Sequence, residues 1–179
     1  PRYVSRIDSA VIFRCAKQQL KGSDPNAYKV IILALGAGLR RSEIDRLTWQ
    51  DVDCDGCRIH VRSSAYGVTK SISSEGVVHV AAELIHELGT GTGWIVSPDK
   101  NKPAKPYRAD TAYRSATAWL RSQGVQSNCP LHTLRKEFGS VICSRGDIYA
   151  ASVQLRHSSI QVTRDHYLAP KSWVVMPLK

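Results

Sequence analysis

The sequence predicts an α+β domain, mainly α-helical with a small antiparallel β-sheet. Apolar residues recur at helical spacing ahead of Asp51 and again after Ala109. Between Asp51 and Val80 the period falls to two, with Asp55-Gly56 placed as a hairpin turn. Glycine and proline breaks cut the remainder into helices of ordinary length.

The first helix is expected over about residues 8–21, stopped by Gly22. Ser23-Asp24-Pro25 then supplies a capping oxygen and a first-turn proline for a second helix. Residues 28–35 are apolar nearly all round, which predicts a helix buried on every side. Gly36-Ala37-Gly38 breaks it, and Ser42 with Asp45 three residues later resembles a capping box for a short helix to about Leu47. Residues 58–62 and 77–80 read as strands, joined by a polar loop that carries Lys70. A helix over 81–88 ends at the glycines of 89–93, a short apolar piece follows at 94–96, and the proline-bearing segment 101–108 is an exposed connection. Four helices are then expected, over about 109–121, 131–145, 148–155 and 160–167. Residues 168–179 form an apolar tail around Trp173 and Met176.

A chain of 179 residues has room for one domain or two very small ones, and a single domain over 1–179 is expected. Its 42% apolar and 22% charged residues are ordinary for a globular chain. The balance is not: 25 Lys and Arg against 15 Asp and Glu give a net charge of +10, a field that favours polyanions. The longest apolar stretch, 30–39, contains two glycines and is too short to span a bilayer, so no membrane partner is expected. Five scattered cysteines argue for a reducing compartment over a disulfide framework. No leader pattern opens the chain, and its start at Pro1 suggests a fragment of something longer.

Between Lys105 and Arg145 there are seven basic residues and two acidic ones. In the helix after Ala109, the residues Ala112, Ala116 and Trp119 share one face, while Arg114, Thr117 and Arg121 share another. That arrangement suits an apolar face turned inward and a phosphate-binding face turned out. A merely solvated face would show the same pattern.

Three short stretches carry chemistry together. They are Gly38-Leu39-Arg40-Arg41-Ser42-Glu43, then His132-Thr133-Leu134-Arg135, then Leu155-Arg156-His157 closing on His166-Tyr167. Their order and spacing resemble the catalytic domain of the tyrosine recombinases, the phage integrase family. The resemblance implies that family's catalytic-domain fold and a set of catalytic residues: Arg40, Lys70, His132, Arg135, His157 and Tyr167, with Glu43 in support. It departs from the family at Arg156, where glycine is common; Arg156 is expected to shift the helix junction or add a phosphate contact. It departs again where Tyr167 stands ten residues after His157 instead of nine, leaving His166 at the ninth place.

The chemistry fits these residue types. A phosphodiester under attack gathers charge on its non-bridging oxygens, and guanidinium forks such as Arg40 and Arg135 stabilise it without losing their proton. Tyr167 would be the nucleophile, forming a 3′-phosphotyrosine. His132 titrates in the range of a useful base, His157 adds a donor, and Lys70 would protonate the departing 5′-oxygen. No metal and no cofactor are expected. The resemblance further implies double-stranded DNA as partner, a tetramer on DNA in the full-length protein, a separate N-terminal DNA-binding clamp domain that this chain lacks, and a cytoplasmic, nucleoid-associated setting. Alternatives are a non-catalytic DNA-binding module on the same fold, a type IB topoisomerase-like enzyme, and a zinc site at Cys54, Cys57 and His60 with His79 alongside.

Overall fold

The computed structural model describes residues 3–5, 7–63, 75–100, 107–145 and 147–167. Among the described residues, eight α-helices, one short 3-10 helix and three short strands follow in the expected order. Asp8 caps α1 (Ser9–Gln19) by accepting from the N–H groups of Ala10 and Val11 at 2.9 and 3.0 Å. Asp24 caps α2 (Pro25–Gly36) through the Ala27 N–H at 3.0 Å, with Pro25 in the first turn.

Helix α2 is the centre of the core. Val30, Ile31, Ile32 and Leu33 have no exposed surface, and the helix packs against α1, α3 (Arg41–Arg46), α4 (Ala82–Leu88), α5 (Asp110–Ser122) and α6 (Pro130–Ser144). The apolar-all-round pattern of its sequence is thus the pattern of a helix with neighbours on every side. Glu87 of α4 reinforces this junction, accepting from Lys17 and Lys21 at 2.7 and 2.8 Å and from the Tyr28 hydroxyl at 2.8 Å.

The end of α2 aims the first arginine. Gly38 takes a left-handed φ of +59°, which lets the Leu39 N–H turn back to the Leu33 carbonyl at 3.3 Å. A Cβ at Gly38 would run into the ring of Phe138 on α6. Gly38→Ala combines that overlap with a strained φ, so we expect it to lower unfolding stability by roughly 2 kcal/mol, measured by urea titration.

One local expectation is corrected here. The capping box of α3 is not Ser42 with Asp45; Ser42 lies inside the helix, and the Glu43 carboxylate reaches back to the Arg40 N–H at 2.7 Å. Glu43 takes this role because it is buried between basic groups, which the local sequence pattern does not reveal.

The sheet is antiparallel in the order β1 (Val52–Asp53), β2 (Arg58–Val61), β3 (Gly76–His79), with Arg58 opposite His79 and Val61 opposite Gly76. In the β1–β2 turn the left-handed residue is Cys57, φ +48°, while Asp53 accepts from the Gly56 N–H at 2.8 Å. The loop between β2 and β3 holds Lys70, which lies outside the described residues, as does the tail 168–179. β3 is tied to α7 (Ile148–Gln154) by the His79 N–H donating to Gln154 Oε1 at 3.0 Å. Helix α8 (Ile160–Tyr167) then packs on α6 and α7. Among the described residues, no helix is long and apolar enough to cross a membrane.

Candidate active site

The three sequence stretches meet where the α2–α3 turn, α6 and the α7–α8 junction come together. Arg135 is the staple. Its side chain is only 3% exposed, with Nη1 donating to the Gly38 carbonyl and Nη2 to the Leu155 carbonyl. It thereby ties the turn before Arg40 to the turn before His157. Burial, and then the neighbouring charge of Arg40, hold its pKa below the usual guanidinium range.

Arg40 stands just ahead of α3, at its N-cap, and keeps one flank open to solvent, with its side chain 31% exposed. Its Nη1 donates to Glu43 Oε1 at 2.6 Å. Glu43 in turn is the hub of the cluster, its other oxygen 2.6 Å from Arg156 Nη2 and 3.9 Å from Arg135 Nη1. Burial pushes the Glu43 carboxyl up, but Arg156, the Arg40 N–H, Arg135 and Arg40 together outweigh it and the net shift is downward. Glu43 therefore stays ionised among three guanidiniums.

Arg156 is a second correction. Expected as a phosphate contact on a DNA-facing surface, it is buried, with its side chain 2% exposed and committed to Glu43 and to the Gln154 carbonyl at 2.8 Å. Its φ is +51°, the backbone region in which glycine is at ease. The helix junction thus keeps the backbone conformation of a glycine, and the guanidinium points inward.

His157 Nδ1 lies 2.7 Å from the hydroxyl of Thr163, a fully buried residue of α8. Burial first, then Arg135, Arg40, His166 and Arg156, push the His157 imidazole down to about 4. His132 is lowered as well, by burial and then by Lys136, Arg135, Arg40 and His166. It stands in the first turn of α6 and lines a cavity of about 350 Å³ together with Arg40, Arg41, Ser42 and Tyr107. The Arg41 guanidinium sits 4.1 Å from the Tyr107 ring centroid.

Tyr167 closes α8 and is half-buried against α6 of its own chain. A Cβ added at Gly139 would stand 2.7 Å from the Tyr167 oxygen, and Gly139 is one turn beyond Arg135. Burial raises the phenol to about 12, opposed by the Arg135 charge. His166 is exposed, its ring centroid 6.3 Å from that of Tyr167. The one-residue difference in spacing therefore leaves the tyrosine, not the histidine, docked on α6.

Arg114, Thr117 and Arg121 line a shallow open cavity with Arg41, and Arg114 is paired with Asp110 at 2.8 Å. On the opposite face Ala112 and Ala116 are buried, and Trp119 donates its indole N–H to Gln19 at 2.8 Å. Among the described residues no group of His, Cys, Asp and Glu gathers as a metal cluster, and the Cys57 thiol faces the Cys54 carbonyl at 3.7 Å. Sequence reasoning missed Thr163. The signal available was its position one turn before Tyr167, on the same helix face.

The histidines make stability depend on pH. The folded pKa of His157, about 4, lies below its ordinary 6.5, so between those values the unfolded chain binds more protons than the folded one. Stability then rises with pH through that window and is lost as pH falls. His132 acts in the same direction. Glu43, lowered from 4.5, loses its contribution only below that value. We expect the thermal midpoint of the DNA-free protein to fall between pH 6.5 and 4.5 and the slope to flatten in His157→Asn. A midpoint that is flat over this range in the unaltered protein would contradict the lowered titration of both rings.

The sequence matches the phage integrase family over residues 12–172. No curated protein matches it. Among solved structures, XerA recombinase is similar at 24% identity and a TM-score of 0.65, covering 92% of this chain and 59% of its own. The Tn1549 transposon integrase in complex with transposon right end DNA is similar at 19% identity and a TM-score of 0.69, covering 96% and 63%. The catalytic domain of bacteriophage HP1 integrase gives 18% identity and a TM-score of 0.67, covering 92% and 86%. The chain thus spans about three fifths of the two longer proteins and most of the isolated domain.

Proposed function

The chain belongs to the phage integrase family, and on that premise we propose that it is the catalytic domain of a site-specific DNA recombinase that cleaves and rejoins DNA through a 3′-phosphotyrosine. The observation that carries this reading is the meeting of Arg40, Arg135 and His157 at one junction, with Tyr167 of the same chain docked one helical turn from Arg135.

In the proposed reaction the Tyr167 oxygen attacks phosphorus and the bond from phosphorus to the 5′-oxygen breaks. His132, neutral at physiological pH, accepts the phenol proton, which a group raised to about 12 does not release unaided. The open flank of Arg40 meets a non-bridging oxygen, and Arg135 adds charge while fixing both turns. With Thr163 donating its hydroxyl to Nδ1, the His157 ring keeps its proton on Nε2 and presents it to the phosphate. Lys70 protonates the departing 5′-oxygen. Rejoining reverses these steps, and since the covalent bond stores the energy the scheme uses no cofactor.

Double-stranded DNA is the proposed partner, with Arg41, Arg114, Thr117 and Arg121 as its backbone contacts. The presence of DNA in the Tn1549 integrase structure supports this. We take residues 1–179 as one catalytic domain with 168–179 as its tail, acting in a cytoplasmic, nucleoid-associated setting and in a tetramer when joined to a clamp domain.

The test is adduct formation on a pool of nicked duplexes of random sequence, which needs no knowledge of the recombination site. A denaturant-stable protein–DNA species is expected, and its absence at saturating DNA would refute the reading. Lys70→Ala should slow the adduct by about 10²–10⁴-fold on ordinary DNA, and a 5′-bridging sulfur at the scissile position should restore the rate, because a thiolate leaves without a proton.

A further inference from the structure

Tyr3 stands ahead of α1, yet its contacts reach the far end of the chain. Its N–H donates to the His166 carbonyl at 2.9 Å, in the last turn of α8. Its ring meets that of Tyr167 edge-on, with centroids 6.5 Å apart and planes at 75°. Its hydroxyl donates to Glu137 Oε2 at 2.8 Å, a carboxylate on α6 that is 5% exposed, and the Lys136 ammonium lies 6.0 Å from the ring.

Helix α8 needs such support. It has eight residues, too few for a stable isolated helix, and Thr163 is its one buried residue. Thr163 fixes the helix middle to His157, but the turn that carries Tyr167 lies beyond it. Tyr3 engages that turn through backbone and ring together, and anchors it to α6 through Glu137.

We propose that Tyr3 is a positioning residue for Tyr167: by bridging the last turn of α8 to Glu137 of α6, the segment ahead of α1 keeps the tyrosine docked near Arg135 of its own chain. The inference rests on the reading of Tyr167 as nucleophile, and it assigns to the N-terminal segment control over the covalent step. Tyr3 lies outside the basic face of α5, so DNA affinity is not its concern.

Two measurements on the full chain test this. The first is backbone hydrogen exchange without DNA. In Tyr3→Ala the amides of 163–167 should exchange at least about tenfold faster, with α2 and α5 unchanged, and Tyr3→Phe, which keeps the N–H and the ring, should fall in between. The second is single-turnover adduct formation on the nicked duplexes. Tyr3→Ala should slow it roughly tenfold at saturating DNA with the half-saturating concentration unchanged, and Tyr3→Phe should recover most of the rate. Unchanged exchange in α8 overturns the inference, and so does loosened exchange with an unaltered adduct rate. Should Tyr3→Ala loosen the whole domain, Tyr3→Phe and Glu137→Gln decide: loss confined to α8 supports the proposal, and uniform loss or none overturns it. If the unaltered protein forms no adduct, the proposed reaction fails, while the exchange result still decides whether Tyr3 holds α8.

Discussion

Tyr167→Phe is expected to abolish the covalent protein–DNA adduct while leaving DNA binding intact. The substitution removes one oxygen. The remaining ring still packs on Gly139 and edge-on to Tyr3, so α8 keeps its place and the basic face of α5 is untouched. What is lost is the oxygen proposed to form the ester, and the adduct rate should fall by at least about a thousandfold. Denaturing gels read the adduct and filter binding reads affinity. An adduct that persisted in Tyr167→Phe would move the nucleophile elsewhere, and the neighbouring His166 would be the first place to look.

The second large effect is expected on stability. Among the described residues, Glu43 is the only carboxylate ion-paired with Arg40, Arg135 or Arg156. Glu43→Gln leaves three guanidiniums facing one another, two of them at most 3% exposed, with no counter-charge. Breaking a buried pair in this way costs about 3–5 kcal/mol, which for a domain of this size lowers the thermal midpoint by roughly 10 °C. Adduct formation should fall too, since Arg40 loses the group that holds it. Glu43→Gln combined with Arg156→Met should be less destabilised than Glu43→Gln alone, because the added substitution removes one of the stranded charges. A double variant at least as unstable as the single one would show that Arg156 is not held there by Glu43.

Most of the helical framework was legible because its signals are local. Asp24 with Pro25 opens α2 and Asp8 opens α1 wherever the rest of the chain goes, and the apolar run over 30–35 has no other home than a core. The junctions were less legible because they are set at a distance. An arginine in a sequence reads as a surface residue, and Arg156 is buried only because Glu43, far away in the chain, is folded beneath it. The family's glycine at that place was the one local sign, since it marks a left-handed backbone, and Arg156 adopts that backbone at φ +51°. Ser42 and Asp45 carried a plausible cap that lost to Glu43 for the same reason. Tyr3 gave no signal at all, because its meaning lies in Glu137, His166 and Tyr167.

Of the site, the residue types and their order were legible, and their mutual placement was not. Arg135 could be picked out as a guanidinium, but not as the clamp on the Gly38 and Leu155 carbonyls that brings Arg40 and His157 together. The partnership of His157 with Thr163 likewise depends on how α8 folds back after the turn.

The identity of the DNA-linked residue decides most directly whether Tyr167 is the nucleophile. The protein is trapped on nicked duplex DNA, digested with protease, and the peptide joined to the DNA 3′ end is sequenced by mass spectrometry. A single linked peptide is expected, with the phosphoryl group on Tyr167. A linkage at His166 or at any other residue, or DNA that is bound without ever becoming linked, would contradict it.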